Sequence, residues 1–118
     1  DVKPDNIFID PNCGRIVLND WGSSCVVNTD TPFVGSLPYC LHDMPVHGRH
    51  VPTPDLDLVA LVRTVFCMMT GRYPPIDFAS ASIFWSDNIQ EGTYWNDAIT
   101  HAMDRNYDEL KKIFNKLL

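Results

Sequence analysis

Asp1-Val2-Lys3-Pro4-Asp5-Asn6 opens the chain, and Asp20-Trp21-Gly22 follows with thirteen residues separating Asn6 from Asp20; these two stretches decide how the sequence is read. Between them, Ile7-Phe8-Ile9 and Ile16-Val17-Leu18 are short β-type runs, and Asp10-Pro11-Asn12-Cys13-Gly14 is a cluster of turn formers. That pattern predicts a hairpin. A hairpin brings the chain back to where it began, so Asn19-Asp20, ending its second arm, is delivered beside the polar groups that precede the first.

Beyond the hairpin, the run from Trp21 to about Pro54 is irregular, with Gly22, Pro32, Gly35, Pro38, Pro45, Gly48 and Pro52 scattered through it and no sustained period. A structureless stretch of that length inside a compact domain reads as a functional loop. Thr53 then offers an N-cap with Pro54 at the first helical position. Leu56 to Met69 is apolar on nearly every side before Gly71 stops it, which predicts a central buried helix with Cys67, Met68 and Met69 in the core. Tyr73-Pro74-Pro75, Phe84 and Trp85 follow, then expected helices near Thr93 to Met103 and from Tyr107 to Leu118. In the last, Leu110, Ile113, Phe114 and Leu117 recur at helical spacing, and Lys111, Lys112 and Lys116 fall on its wet side.

With 118 residues, 45% of them apolar, the chain is long enough to bury a core. A formal net charge of -6 gives no broad basic surface, so neither nucleic acid nor an anionic membrane is the expected partner. The four cysteines, Cys13, Cys25, Cys40 and Cys67, form no C-x-x-C pair, which fits reduced thiols and an intracellular (cytoplasmic or nuclear) setting. No stretch reaches the roughly eighteen apolar residues of a membrane span. The chain opens on Asp1 rather than Met, so a fragment or a processed product is expected.

The chemistry lies in the opening stretch. Asp1, Lys3 and Asn6 put a carboxylate, an ammonium and a side-chain amide within six residues. Phosphoryl transfer asks for such a set: a group that orients the attacking hydroxyl, a cation near the migrating phosphoryl, and oxygen ligands for magnesium. Asn6 and Asp20 are the candidate metal ligands, facing one spot from the two arms of the hairpin.

In order and spacing, these residues resemble the signature of the eukaryotic-type protein kinases. Asp1 to Asn6 is similar to the second half of the H-R-D-x-K-P-x-N catalytic loop, and Asp20-Trp21-Gly22 to the D-F-G motif with Trp for Phe. Gly35-Ser36-Leu37-Pro38-Tyr39 resembles the G-T-x-x-Y that closes the activation segment. Asp57, in Asp55-Leu56-Asp57-Leu58-Val59-Ala60-Leu61, resembles the start of the buried F helix, and Thr70-Gly71-Arg72-Tyr73-Pro74-Pro75 the T-G-x-x-P-F element after it.

The resemblance implies a mainly α fold with a small β-hairpin, the α+β kinase C-lobe with the N-lobe missing. On this reading the whole of 1–118 is a partial kinase domain. The catalytic loop, hairpin and D-F-G-like motif occupy 1–22, the activation segment 20–43, the F-type helix 53–70 and the C-terminal helices 84–118. The implied activity is that of a serine/threonine protein kinase using ATP and Mg2+ on a protein substrate. Asp1 would accept the hydrogen bond of the substrate hydroxyl, and Lys3 would contact the γ-phosphate. Asn6 and Asp20 would bind magnesium. Ser36 would bond back to Asp1 and Lys3 from the P+1 loop it shares with Tyr39. Asp57 would accept hydrogen bonds from the catalytic-loop backbone, Trp21 would sit in the hydrophobic spine with Gly22 beside it as structural support, and Asp43 would stand where the family has the glutamate of Ala-Pro-Glu. Thr29 and Thr31 fall where activating phosphorylation occurs.

There is no G-x-G-x-x-G loop, strand lysine or partner glutamate in the chain, so the isolated fragment is expected to be inactive and to self-associate through the surface facing the missing lobe. Two other readings remain. Small-molecule kinases of aminoglycoside or choline type also carry a D-x-x-x-x-N loop followed by Asp-Trp, although Lys3-Pro4 and the 71–75 element count against them. A pseudokinase scaffold would keep the fold for binding alone.

Overall fold

The computed structural model describes residues 1–32, 36–39 and 49–116. Expectations placed on Asp43, Cys40 and Leu117, and on the parts of the activation segment at 33–35 and 40–48, lie outside the described residues.

Strands β1 (Ile7–Ile9) and β2 (Ile16–Leu18) form the expected antiparallel hairpin, with Ile7 opposite Leu18, Phe8 opposite Val17 and Ile9 opposite Ile16. Its turn closes through Asp10, whose amide donates to the Arg15 carbonyl at 2.8 Å and whose carbonyl accepts from Gly14 at 2.8 Å. Gly14 sits at φ 69°, a left-handed conformation that costs glycine nothing. One residue outside the ladder, the Asn19 amide donates to the Asn6 carbonyl at 2.8 Å, so the pairing runs on to the polar ends of both arms. The long irregular loop contains a second small ladder. Strand β3 (Thr31–Pro32) pairs antiparallel with β4 (Arg49–His50), and the Asn28 amide donates to the Pro52 carbonyl at 2.9 Å just outside it.

Helix α1 spans Pro54–Thr70, with Thr53 as N-cap, Pro54 at its first turn and Gly71 ending it at φ 72°. Helices α2 (Phe78–Asn88), α3 (Tyr94–Met103) and α4 (Tyr107–Asn115) follow. The start of α2, which the apolar pattern does not mark, is set by a side-chain cap: Asp77 accepts from the Ser80 amide at 2.9 Å. Thr93 and Asn106 cap α3 and α4 the same way. Among the described residues no helix is long and apolar enough to cross a membrane.

The core has two halves. Val59 and Val62 of α1 meet Ala98 and Ala102 of α3 and Leu110 of α4; the small alanines let α3 approach α1 closely. Phe66 and Cys67 meet Trp85 of α2, and Trp95 packs against both halves. Edge-to-face contacts of Phe66 with Trp85 at 5.8 Å and Trp95 at 5.4 Å knit the second half together. One expectation is corrected at the end of α1. Cys67 is fully buried, but Met68 and Met69 are 41% and 55% exposed, because the neighbouring helices cover only one face of the final turn.

Truncating the two residues should therefore separate them. Phe66→Ala is expected to cost about 3–5 kcal/mol and Met69→Ala less than about 0.5 kcal/mol, measured by chemical denaturation.

Candidate active site

The site is built where the opening turn, the end of the hairpin and the 36–39 loop meet against α1. Pro4–Asn6 forms a single 3-10 turn, with Pro4 supplying its fixed φ at the first position. Asn6, 7% exposed, ties this turn together. Its side-chain Nδ2 donates to the Asp1 carbonyl at 2.8 Å, its backbone amide to the Lys3 carbonyl at 3.0 Å, and its carbonyl accepts from Asn19 across the hairpin. With the amide nitrogen spent on Asp1, its Oδ1 remains as the acceptor.

The Asp1 carboxylate is held from both sides. Ser36 donates its hydroxyl to Oδ1 at 2.7 Å, and the Lys3 ammonium stands 3.5 Å from Oδ2. Three of the residues singled out from sequence, 35 positions apart at the extreme, are thus one cluster. Asp20 follows Asn19 directly, in a left-handed conformation at φ 61° and ψ 68° that aspartate tolerates better than most residues. Asp1, Asp20, Ser36, Tyr39 and Asp57 all line one cavity of about 320 Å³, walled by Leu18, Trp21, Val27 and Pro54.

Other expected members behave differently. The resemblance implied a Trp21 in the hydrophobic spine, but the ring is 66% exposed, because a 3-10 turn after Asp20 carries it outward and its indole N–H donates to the Leu18 carbonyl at 2.9 Å. At Gly22 a Cβ would meet only the Asp20 Oδ1 at 3.5 Å, an ordinary contact. Asp57 is exposed on the cavity wall, and among the described residues no hydrogen bond joins it to the catalytic-loop backbone; α1 supports that loop by packing against the Pro4–Asn6 turn. Thr29 is exposed and donates to the Val26 carbonyl at 2.6 Å, whereas the Thr31 hydroxyl is buried in β3 without a hydrogen-bond partner among the described residues.

Tyr39 lies against Cys67. Burial is the largest influence on both, pushing the phenol above its usual range and the thiol up to about 11, so each is neutral near pH 7 and neither serves as a charged group.

Sequence reasoning missed Arg63, Trp85 and Arg105. Arg63, the one basic residue within the apolar run of α1, is buried and donates to the Tyr39 carbonyl at 3.2 Å. A charge inside an otherwise apolar helix was the available signal. Arg105 pairs with Asp55 at 3.2 Å, joining the end of α3 to the start of α1. No sequence spacing announces that contact.

As ligands for magnesium, Asn6 and Asp20 offer an amide and a carboxylate oxygen from adjacent positions on paired arms. Among the described residues no group of three or more His, Cys, Asp or Glu side chains is placed to hold a metal ion. That donor set suits an ion that keeps waters and takes further oxygens from phosphate, as magnesium does, and not a closed protein cage.

No family model matches the chain, and no solved structure matches it. The chain is 28% identical over 123 residues to serine/threonine-protein kinase SBK1 of Danio rerio, a match covering 100% of this chain and 32% of the relative. This is a segment of serine/threonine-kinase type. The kinase-type segment is also 34% identical over 80 residues to serine/threonine-protein kinase SBK2 of Mus musculus, covering 63% of this chain and 22% of the relative. To SBK2 of Homo sapiens it is 33% identical over 94 residues, with 74% and 27% covered. It spans about a third or less of the length of these relatives. Among the described residues, the four α-helices and the antiparallel hairpin agree with a kinase C-lobe.

The Asp55–Arg105 pair makes a pH-dependent prediction for this kinase-type fold. Burial pushes the Asp55 carboxyl up, but hydrogen bonds from Thr53 and its own backbone amide, together with the Arg105 charge, hold it below the usual range. A lowered carboxylate stabilises the fold fully above its ordinary value of about 3.9 and loses that contribution as pH falls through the lowered value. Arg105→Gln is expected to raise the Asp55 titration and to start acid unfolding at a higher pH, read by NMR titration and circular dichroism.

Proposed function

We propose that this chain supplies the acceptor side of an ATP-dependent phosphoryl-transfer site acting on Ser or Thr hydroxyls of protein substrates. One observation carries the reading. The Ser36 hydroxyl bonds to a carboxylate that also has an ammonium beside it and opens onto a cavity of 320 Å³. A carboxylate merely solvated at a chain end has no need of a partner 35 residues away.

In this reading Asp1 accepts the hydrogen bond of the incoming hydroxyl and takes its proton as the oxygen bonds to phosphorus and the bond to the nucleoside diphosphate breaks. Ser36 fixes the rotamer of Asp1, so the acceptor meets a carboxylate already aimed. Lys3 places a positive charge near the migrating phosphoryl group while tempering the negative charge on Asp1. Asn6 and Asp20 would hold magnesium, which supplies neutralisation of phosphate charge when bound. The names of the relatives support a protein hydroxyl as acceptor.

The test is Mg-ATP-dependent phosphorylation of a Ser/Thr peptide by the complete protein. Asp1→Asn is expected to lower kcat by about 10²–10⁴-fold. Asp20→Asn is expected to raise the magnesium concentration needed for half-maximal rate, with circular dichroism unchanged in both variants. A folded wild type that neither transfers phosphate nor binds Mg-ATP would sink the proposal and leave a scaffold.

A further inference from the structure

Ser36 can orient Asp1 only if the loop that carries it is itself held. Inside the loop, the Tyr39 amide donates to the Ser36 carbonyl at 3.0 Å, closing the 36–39 turn on itself. That turn alone does not fix where the loop stands relative to the catalytic loop. Two helices provide the external hold. The Trp85 indole of α2 donates to the Pro38 carbonyl, and the Arg63 guanidinium of α1 donates to the Tyr39 carbonyl at 3.2 Å. Consecutive carbonyls are therefore gripped by side chains from two different helices.

The two gripping side chains also hold each other. The Arg63 guanidinium lies 5.3 Å over the Trp85 ring, within cation–π range, and the Tyr39 ring stands edge-on to the same indole at 6.2 Å. Both residues are nearly inaccessible, Trp85 at 5% and Arg63 at 9% exposed. An apolar side chain would fill the α1 position without the desolvation cost of a guanidinium. Among the contacts of Arg63, the planar fork supplies a directed donor to the loop backbone. Because a main-chain carbonyl is gripped, the hold fixes loop position whatever side chains the loop displays.

Resting on the phosphoryl-transfer reading above, we infer that Arg63 and Trp85 are positioning residues of the acceptor site: by clamping the Pro38 and Tyr39 carbonyls they set the place of Ser36 and, through it, the aim of Asp1. Neither lines the cavity, so neither touches acceptor or nucleotide.

The experiment uses Trp85→Phe, which keeps an aromatic ring and removes the indole donor, and Arg63→Lys, which keeps the charge and loses the fork. In the complete protein, each variant is expected to lower kcat for a Ser/Thr peptide about ten-fold, the scale of a mispositioned catalytic group, with the KM for Mg-ATP within about two-fold of wild type. Amide hydrogen exchange at Tyr39 should quicken in both variants while exchange in α1 stays put, a pattern that general destabilisation does not produce. Unchanged kcat and unchanged Tyr39 exchange in either folded variant overturns the clamp. Should the wild type transfer no phosphate, the phosphotransferase reading fails by itself, and Tyr39 exchange alone decides whether the clamp exists. Should Trp85→Phe not fold, Arg63→Lys carries the same two readouts.

Discussion

A hydrogen bond between residues 35 apart, Ser36 to Asp1, is the contact on which the site depends. Neither partner belongs to a regular element, so the bond survives only because something rigid stands behind both loops. That something is α1, which packs against the Pro4–Asn6 turn and the Leu37–Tyr39 turn while its opposite side is buried under α3. The burial of its middle, Val59 to Cys67, is thus a functional requirement as much as a stabilising one. An amphipathic surface helix could brace one loop, but a helix with an apolar face toward each neighbour braces two.

The same logic explains why the hairpin matters although it is short and much of its apolar surface is exposed. Its register, continued by the Asn19-to-Asn6 bond, puts Asp20 one residue beyond Asn19, whose partner Asn6 is itself bonded to Asp1. A slip of one residue would send Asp20 to the other face. Position is therefore inherited from backbone pairing, and the left-handed turn at Asp20 adds the last change of direction.

The legible parts of the sequence were those with local causes. The hairpin followed from two β-type runs around turn formers, α1 from Thr53, Pro54 and Gly71, and the cluster of Asp1, Lys3 and Ser36 from a resemblance spread over ordered fragments. What escaped depended on tertiary contact. The start of α2 rests on one cap at Asp77 within a Ser- and Ala-rich stretch that has no clear period. Met68 and Met69 read as core because composition reports greasiness, while exposure depends on which neighbours arrive. The clamp of Arg63 and Trp85, separated by α1's own terminus and the 71–77 connection, could not be inferred until both helices were placed against the loop.

Whether Ser36 acts through Asp1 is decided by a double-mutant cycle. Phosphoryl-transfer kcat would be measured in the complete protein as wild type, Ser36→Ala, Asp1→Asn and the double variant. Ser36→Ala is expected to slow the wild type but to cost little more once Asp1 is asparagine. Equal losses from Ser36→Ala in both backgrounds would contradict it, since the two residues would then act independently.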